Sequence, residues 1–213
     1  MAVPIDMSDL LPNARAFLRD LTENNSRDWF NANRNRYDSE IKRPTERLAD
    51  AVTSWLASRY GAAPRSKLFR PHRDVRFSDD KTPYTTHLHV MWSLPDGRAW
   101  YLGIAADYAT AGAGIMQFER HQIDQWRAAM DGPLGEEAAA FLSGPWRVDP
   151  PALKTVPAPY PQDHPQSDLL RRKGLVAWAD DLDEELTANP LAALQNTFDE
   201  LSDIQDILSR ALR

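Results

Sequence analysis

The order of hydrophobic and polar positions predicts helices at both ends of the chain and strands between them. Apolar residues recur at helical spacing over residues 12–21, and a second helical stretch begins at Arg27. Pro44 is predicted either to kink this stretch or to open the next helix, which runs to Tyr60 and ends at Gly61. The stripe of these helices is assigned to the core rather than to a cofactor site: Trp29, Phe30, Tyr37, Ile41, Leu48, Val52, Trp55 and Leu56.

After Pro64 the spacing changes from helical to alternating, which is typical of strands. Two sets of side chains alternate there: Thr86, Leu88, Val90 and Trp92 on one face, and His87, His89 and Met91 on the other. The turn-forming sequence Leu-Pro-Asp-Gly at residues 94–97 then leads into strands over residues 100–106 and 108–116. Gly112 and Gly114 in the last strand indicate a bulge, or a close approach by backbone or ligand.

Beyond the strands, helical spacing returns over residues 118–130 and 136–142. Residues 145–165 hold seven of the sixteen prolines, so neither a long helix nor a central strand is expected there. A short helix over residues 169–173 is predicted to stop at Gly174, and an apolar stripe predicts a final helix over residues 191–208.

Together these elements predict an α+β fold with one domain over residues 1–213. An antiparallel sheet centred on residues 66–117 is flanked by N-terminal and C-terminal helices.

Composition narrows the classes of function. The absence of cysteine excludes disulfides, thiolate nucleophiles, iron–sulfur clusters and cysteine-based zinc sites. The net charge is −6 and is unevenly placed: residues 1–130 carry +2, whereas residues 131–213, with 7 Lys and Arg against 15 Asp and Glu, carry −8. This acidic balance makes nucleic acid an unlikely partner. No apolar run is long enough to cross a membrane and no signal peptide is recognised, so we expect a soluble cytoplasmic protein.

The residues that carry chemistry are concentrated between Ser66 and Trp92. Four cationic side chains lie close together in this segment: Arg70, Arg73, Arg76 and Lys81. Pro71 excludes a continuous helix, so only loop geometry can bring them together. They are predicted to bind phosphate or carboxylate, because guanidinium and ammonium groups suit such anions. The alternative is an internal ion network in which Asp74, Asp79 and Asp80 neutralise the same cations.

Three neighbouring residues are candidate catalytic groups. Asp74 is predicted to orient the arginines or to act as a base, while Tyr84 and His87 supply proton transfer. His87 and His89 share a strand face, and Asp74, Asp107 or His72 could complete a metal site with them. A lone His-x-His is a weak metal signal, so we assign no metal and leave the cofactor open. Nucleophile-elbow, phosphate-loop and Rossmann motifs are absent from the sequence.

The chain resembles the domain of unknown function 2461 family, a mainly bacterial family. The resemblance rests on three motifs: Arg70-x-x-Arg73-Asp74-x-Arg76-Phe77-x-x-Asp80-Lys81-x-x-Tyr84, Asn24-Asn25-x-Arg27-x-Trp29-Phe30-x-x-Asn33-x-x-x-Tyr37, and Arg172-Lys173-Gly174-Leu175. Where the family's third strand often has three glycines, this chain has Gly112-Ala113-Gly114. The resemblance implies a shared fold and a shared site but carries no established activity.

The hypothesis from the sequence is a pocket for a small anionic ligand, with or without catalysis. The alternative is a non-enzymatic module that docks an acidic protein segment or RNA. A narrow concave pocket would favour the small ligand. Exposed aromatic side chains interleaved with the arginines would favour nucleic acid.

Overall fold

A computed structural model describes residue 7, residues 9–61 and residues 63–213 of the chain. It confirms the α+β prediction, because helices pack on one face of a six-stranded antiparallel sheet. The strands follow one another across the sheet in the order β1-β2-β3-β4-β6-β5. They are β1 Arg65–Leu68, β2 His87–Ser93, β3 Ala99–Ala105, β4 Ala109–Ile115, β5 Arg147–Val148 and β6 Leu175–Ala179.

The N-terminal helices follow the predicted order. They are α1 Leu10–Glu23, α2 Arg27–Ala32, α3 Arg34–Arg36, a π-helical turn Tyr37–Lys42, and α4 Arg43–Tyr60. Ser26 caps α2 by accepting a hydrogen bond from the backbone N–H of Trp29. Pro44 lies in the first turn of α4, but α4 continues from the π-helical turn without a break, so Pro44 marks a change of helix type and does not open a separate helix. Gly61 ends α4 in the left-handed conformation, with φ +71°.

The central hairpins agree with the alternation of the sequence, and the glycines of β4 have a clear physical reason. A Cβ at Gly112 would lie 2.4 Å from the ring of Trp178, and a Cβ at Gly114 would lie 2.1 Å from the Leu175 carbonyl oxygen. The close approach at both glycines is therefore made by β6. The intervening Ala113 is fully buried on the opposite face of the strand and needs no glycine.

The C-terminal part departs from the prediction. The expected helix over residues 169–173 is only α7, Ser167–Leu170, and Gly174 leads into strand β6 instead of stopping a helix. A Cβ at Gly174 would lie 2.1 Å from the Met116 carbonyl oxygen, so glycine lets β6 approach the end of β4. The predicted final helix is interrupted at Leu201. The remaining helices are α5 Arg120–Met130, α6 Pro133–Leu142, α8 Asp183–Ala188, α9 Pro190–Glu200 and α10 Ser202–Ala211.

The main hydrophobic core lies between the helices and one face of the sheet. Trp92 belongs to this core: it is fully buried, and its indole N–H donates to the Ala49 carbonyl oxygen of α4 at 3.0 Å. The opposite face carries a separate small cluster of strand residues: Ala99, Tyr101 and Val176, with Met91 and Trp178 packed against them. We call this second side the open face. Within the described residues, no helix is long and apolar enough to cross a membrane.

Candidate functional site

The central motif forms a loop whose two ends are joined by backbone hydrogen bonds. The Arg73 N–H donates to the Pro83 carbonyl at 2.9 Å, and the Thr85 N–H donates to the Pro71 carbonyl at 2.7 Å. This short ladder closes residues 74–82 into a loop, which we call the motif loop.

The charges at the motif loop form two separate ion pairs rather than one cluster around Asp74. Arg73 pairs with Asp80 and also donates to the Thr82 hydroxyl at 2.6 Å. The Arg76 guanidinium donates to Asp74 at 2.6 and 2.9 Å. Hydrogen bonds from Arg76 lower the pKa of Asp74, and those from Arg73 and Thr82 lower the pKa of Asp80 to about 2. Both carboxylates are therefore ionised at neutral pH.

The other two predicted cations are used differently. Lys81 donates to the Val75 carbonyl at 3.1 Å and so braces the motif loop internally. Arg70 lies before the loop and is exposed, next to the sheet edge formed by β1. Phe77 lies in the motif loop with 98% of its surface exposed.

Tyr84 is buried and holds the base of the motif loop against the N-terminal helices. Its ring stacks on Phe30 with centroids 4.1 Å apart, and its backbone makes two hydrogen bonds with the Asn25 amide, at 2.9 and 3.1 Å. Asn25 and Phe30 belong to the N-terminal motif. The first two sequence motifs are thus in direct contact, and the contacts found for Tyr84 are structural.

The open face contains a cavity of about 700 Å³. We call it the apolar cavity, because aromatic and thioether side chains make up much of its wall. Its lining residues lie on strands or on the segments beside them and include Phe69, Met91, Tyr101, Tyr108, Met116 and Trp178. Phe69, Tyr108 and Met116 are large apolar side chains that remain exposed to solvent. Arg147, Asp149, Asp180 and Asp181 also line this cavity.

A second concavity of about 530 Å³ adjoins the apolar cavity and shares Phe69 and His89 with it. We call it the basic groove; its lining residues are Lys67, Leu68, Phe69, Arg70, His72, Thr85, His87 and His89. Of the predicted site residues, the structure thus brings Arg70 and His87 together in one concavity. The ion pairs of Arg76 and Asp74 lie on the motif loop outside its lining.

The two histidines of β2 lie at the junction of these concavities. Their rings stack with centroids 4.1 Å apart, and a hydrogen bond of 3.2 Å joins His89 Nε2 to the Tyr108 hydroxyl. Burial lowers the pKa of His89 to about 4, with a smaller effect from His87. Burial, followed by the charge of Arg73, also lowers the pKa of His87. Both rings are therefore neutral at pH 7. In the described ranges, no group of three His, Asp or Glu side chains is arranged to hold a metal ion around them.

Several lining residues lie outside the three sequence motifs. Lys67, Phe69, Tyr108 and Trp178 come from different strands or strand ends, and only the order of the sheet brings them together. One available signal was the alternation of β2, which places His87, His89 and Met91 on the face opposite the core. Lys67 is next to Met91 in the register of β1 and β2, so it shares that face.

Comparison with known proteins gives one match. A protein-family model described as "Conserved hypothetical protein (DUF2461)" matches residues 13–206. No curated protein and no solved structure matches the chain significantly.

Proposed function

Because this chain belongs to the family of conserved hypothetical proteins DUF2461, whose description names no activity, we propose from the site itself that it binds a small anionic ligand. The anion lies in the basic groove, between Lys67 and Arg70. The observation that carries the proposal is the composition of this groove: it has two exposed cations and no carboxylate in its lining.

The motif loop is a less favourable place for the anion than the basic groove. On the loop, Arg73 and Arg76 already have carboxylate partners, so an anion would compete with Asp80 and Asp74. Neither Lys67 nor Arg70 forms an ion pair within the described residues, although the Lys67 ammonium lies 4.4 Å from the centre of the Phe69 ring. An anion in the groove would gain charge-assisted hydrogen bonds without breaking internal ones.

The predicted residues take different roles under this proposal. Arg70 binds the ligand directly, and His87 offers a ring nitrogen to it as a hydrogen-bond partner. Arg73 adds positive potential, because its charge acts on the His87 ring. Asp74, Arg76 and Lys81 shape the motif loop, and Tyr84 anchors its base.

Exposed Phe77 beside Arg76 is the feature that would favour nucleic acid, but it lies on the motif loop, and a small ligand fits the basic groove better than a nucleic acid strand does. Both concavities are half-open hollows lined by strands and loops, and each has room for a compact molecule. A phosphate chain running along the open face from the groove would meet Asp149, Asp180 and Asp181 at the far side of the apolar cavity. Arg147 pairs with Asp149 and Asp180, but the three carboxylates exceed this one cation, so the far side keeps a negative balance that would repel the chain.

The test is calorimetric titration of the protein with sulfate, which stays doubly charged across neutral pH. Lys67→Ala and Arg70→Ala should each weaken sulfate binding at least about 10-fold, since one charge-assisted contact contributes roughly 1.5 to 3 kcal/mol. Arg120→Ala is the matched control: Arg120 is an exposed arginine at the start of α5, outside both concavities, and its loss should leave the affinity unchanged.

Arg76→Ala separates the groove from the motif loop as the place of the anion. Under the proposal this variant binds sulfate nearly as well as the parent. If Arg76→Ala weakens binding and Arg70→Ala does not, the anion lies on the loop. If the parent binds no sulfate, the proposal fails.

A further inference from the structure

We infer that the ligand is an aromatic anion, whose ring lies in the apolar cavity while its phosphate or carboxylate lies in the basic groove. This inference rests on the proposed function, because it takes the groove as the place of the anion. It adds the chemical class of the rest of the molecule.

The basic groove and the apolar cavity adjoin each other. Phe69 and His89 line both, so a ligand anchored in the groove can extend into the cavity past these two side chains. Lys67 on β1 is in register with Met91 and Tyr101, and Gly103 lies two residues further along β3, so two strand spacings of about 4.8 Å and a rise of about 6.8 Å place it roughly 12 Å from Lys67. One or two fused rings bearing an anionic group match this span.

Gly103 lies at the floor of the apolar cavity, near its junction with the basic groove. Gly103 of β3 lies between His89 and Thr110 of the adjacent strands. A Cβ at this position would lie 3.3 Å from both Tyr108 and Thr110 and 3.4 Å from His89. The side chains of His89, Tyr108 and Thr110 therefore close in over Gly103, and with the His89–Tyr108 hydrogen bond they form the aromatic wall at the junction against which a ring could stack.

The walls of the apolar cavity are largely aromatic. Four aromatic rings surround the floor, and two of them, Tyr101 and Trp178, already pack together with centroids 5.5 Å apart. Aromatic rings gain affinity for one another beyond the area that they bury, roughly 2- to 10-fold for each good pair. A ring in this cavity would therefore bind more tightly than an alkyl chain of similar size.

The experiment compares four probes of related charge by calorimetry: inorganic phosphate, phenyl phosphate, 1-naphthyl phosphate and hexyl phosphate. We expect 1-naphthyl phosphate to bind at least 10-fold more tightly than inorganic phosphate and several-fold more tightly than hexyl phosphate. Equal affinities for the naphthyl and hexyl esters would overturn the aromatic assignment.

Variants then locate the ring. Phe69→Ala and Tyr108→Ala remove exposed parts of the wall and should each weaken 1-naphthyl phosphate binding about 3- to 10-fold, with little effect on inorganic phosphate. Phe77→Ala is the matched control, because Phe77 is more exposed than either and lines neither concavity. If Phe69→Ala and Tyr108→Ala change naphthyl binding no more than Phe77→Ala does, the ring does not lie in the cavity.

The same measurements distinguish failure of the aromatic inference from failure of the proposed function. If inorganic phosphate binds through Arg70 but 1-naphthyl phosphate binds no more tightly, the inference fails and the proposed function stands. If none of the four probes binds, or if Arg70→Ala has no effect on any of them, the proposed function itself fails.

Discussion

Replacing Asn25 with alanine should loosen the attachment of the motif loop to the N-terminal helices. The Asn25 side-chain amide donates to the Tyr84 carbonyl at 2.9 Å and accepts from the Tyr84 N–H at 3.1 Å. Each such hydrogen bond contributes about 0.5–1.5 kcal/mol net, so Asn25→Ala should lower the free energy of unfolding by about 2 kcal/mol. For a chain of 213 residues this corresponds to a fall in Tm of roughly 4–8 °C.

The assay is urea unfolding followed by Trp fluorescence, with a thermal melt as a second measurement. Asn24→Ala is the matched control, because the neighbouring Asn24 amide donates only to the Asp20 carbonyl of its own helix and is exposed. Its cost should stay within about 0.5 kcal/mol. Asn25→Asp keeps the acceptor but places a charged oxygen beside the Tyr84 carbonyl, so it should be at least as destabilising as Asn25→Ala. If Asn25→Ala costs no more than Asn24→Ala, the paired amide does not hold the loop.

Three further changes test other parts of the structure. Gly174→Ala should lower the free energy of unfolding, measured in urea, by more than about 3 kcal/mol, because the new Cβ would clash with backbone atoms. Gly132→Ala is the control: its Cβ would come no nearer than 3.8 Å to another atom, so it should cost less than about 1 kcal/mol. Similar losses of stability in the two variants would contradict the close approach of β6. The folded state holds the pKa of His89 near 4, below its ordinary value of 6.5, so between these values the unfolded state binds the extra proton and stability falls as the pH falls. His89→Gln should therefore flatten the pH dependence of Tm between pH 7 and pH 4, and an unchanged profile would contradict this reasoning. Asp74→Asn removes an exposed ion pair and should leave Tm unchanged at pH 7, whereas a large fall would show that the motif loop is a structural ion network.

The fold was predictable where the sequence pattern is local. The alternation in β2 and the turn at residues 94–97 define the central hairpin without any knowledge of the rest of the chain. Strand β6 was missed because Leu175–Ala179 is apolar throughout, and a short apolar run does not distinguish a strand from a buried helix. Its pairing with β4 depends on residues about 60 positions away.

The candidate site was predictable only in its approximate position. The spacing of Arg70, Arg73 and Arg76 indicates a cationic loop, but it does not show which of them already has a carboxylate partner. Arg73 pairs with Asp80, seven residues away, while Arg70 lines a groove whose other cation, Lys67, comes from β1. Such partners depend on tertiary structure, which local spacing does not report.

Because the core helices pack on one side of the sheet, the two faces of the sheet differ in how well they tolerate substitutions. Side chains on the core face, such as Trp92, are fully buried and cannot vary without a loss of stability. Phe69, Tyr108 and Met116 on the other face are partly exposed to water, so exchanging them should cost little in folding and, under the proposed function, should alter the ligand preference. A library restricted to these three positions would explore new specificities on a scaffold that stays folded.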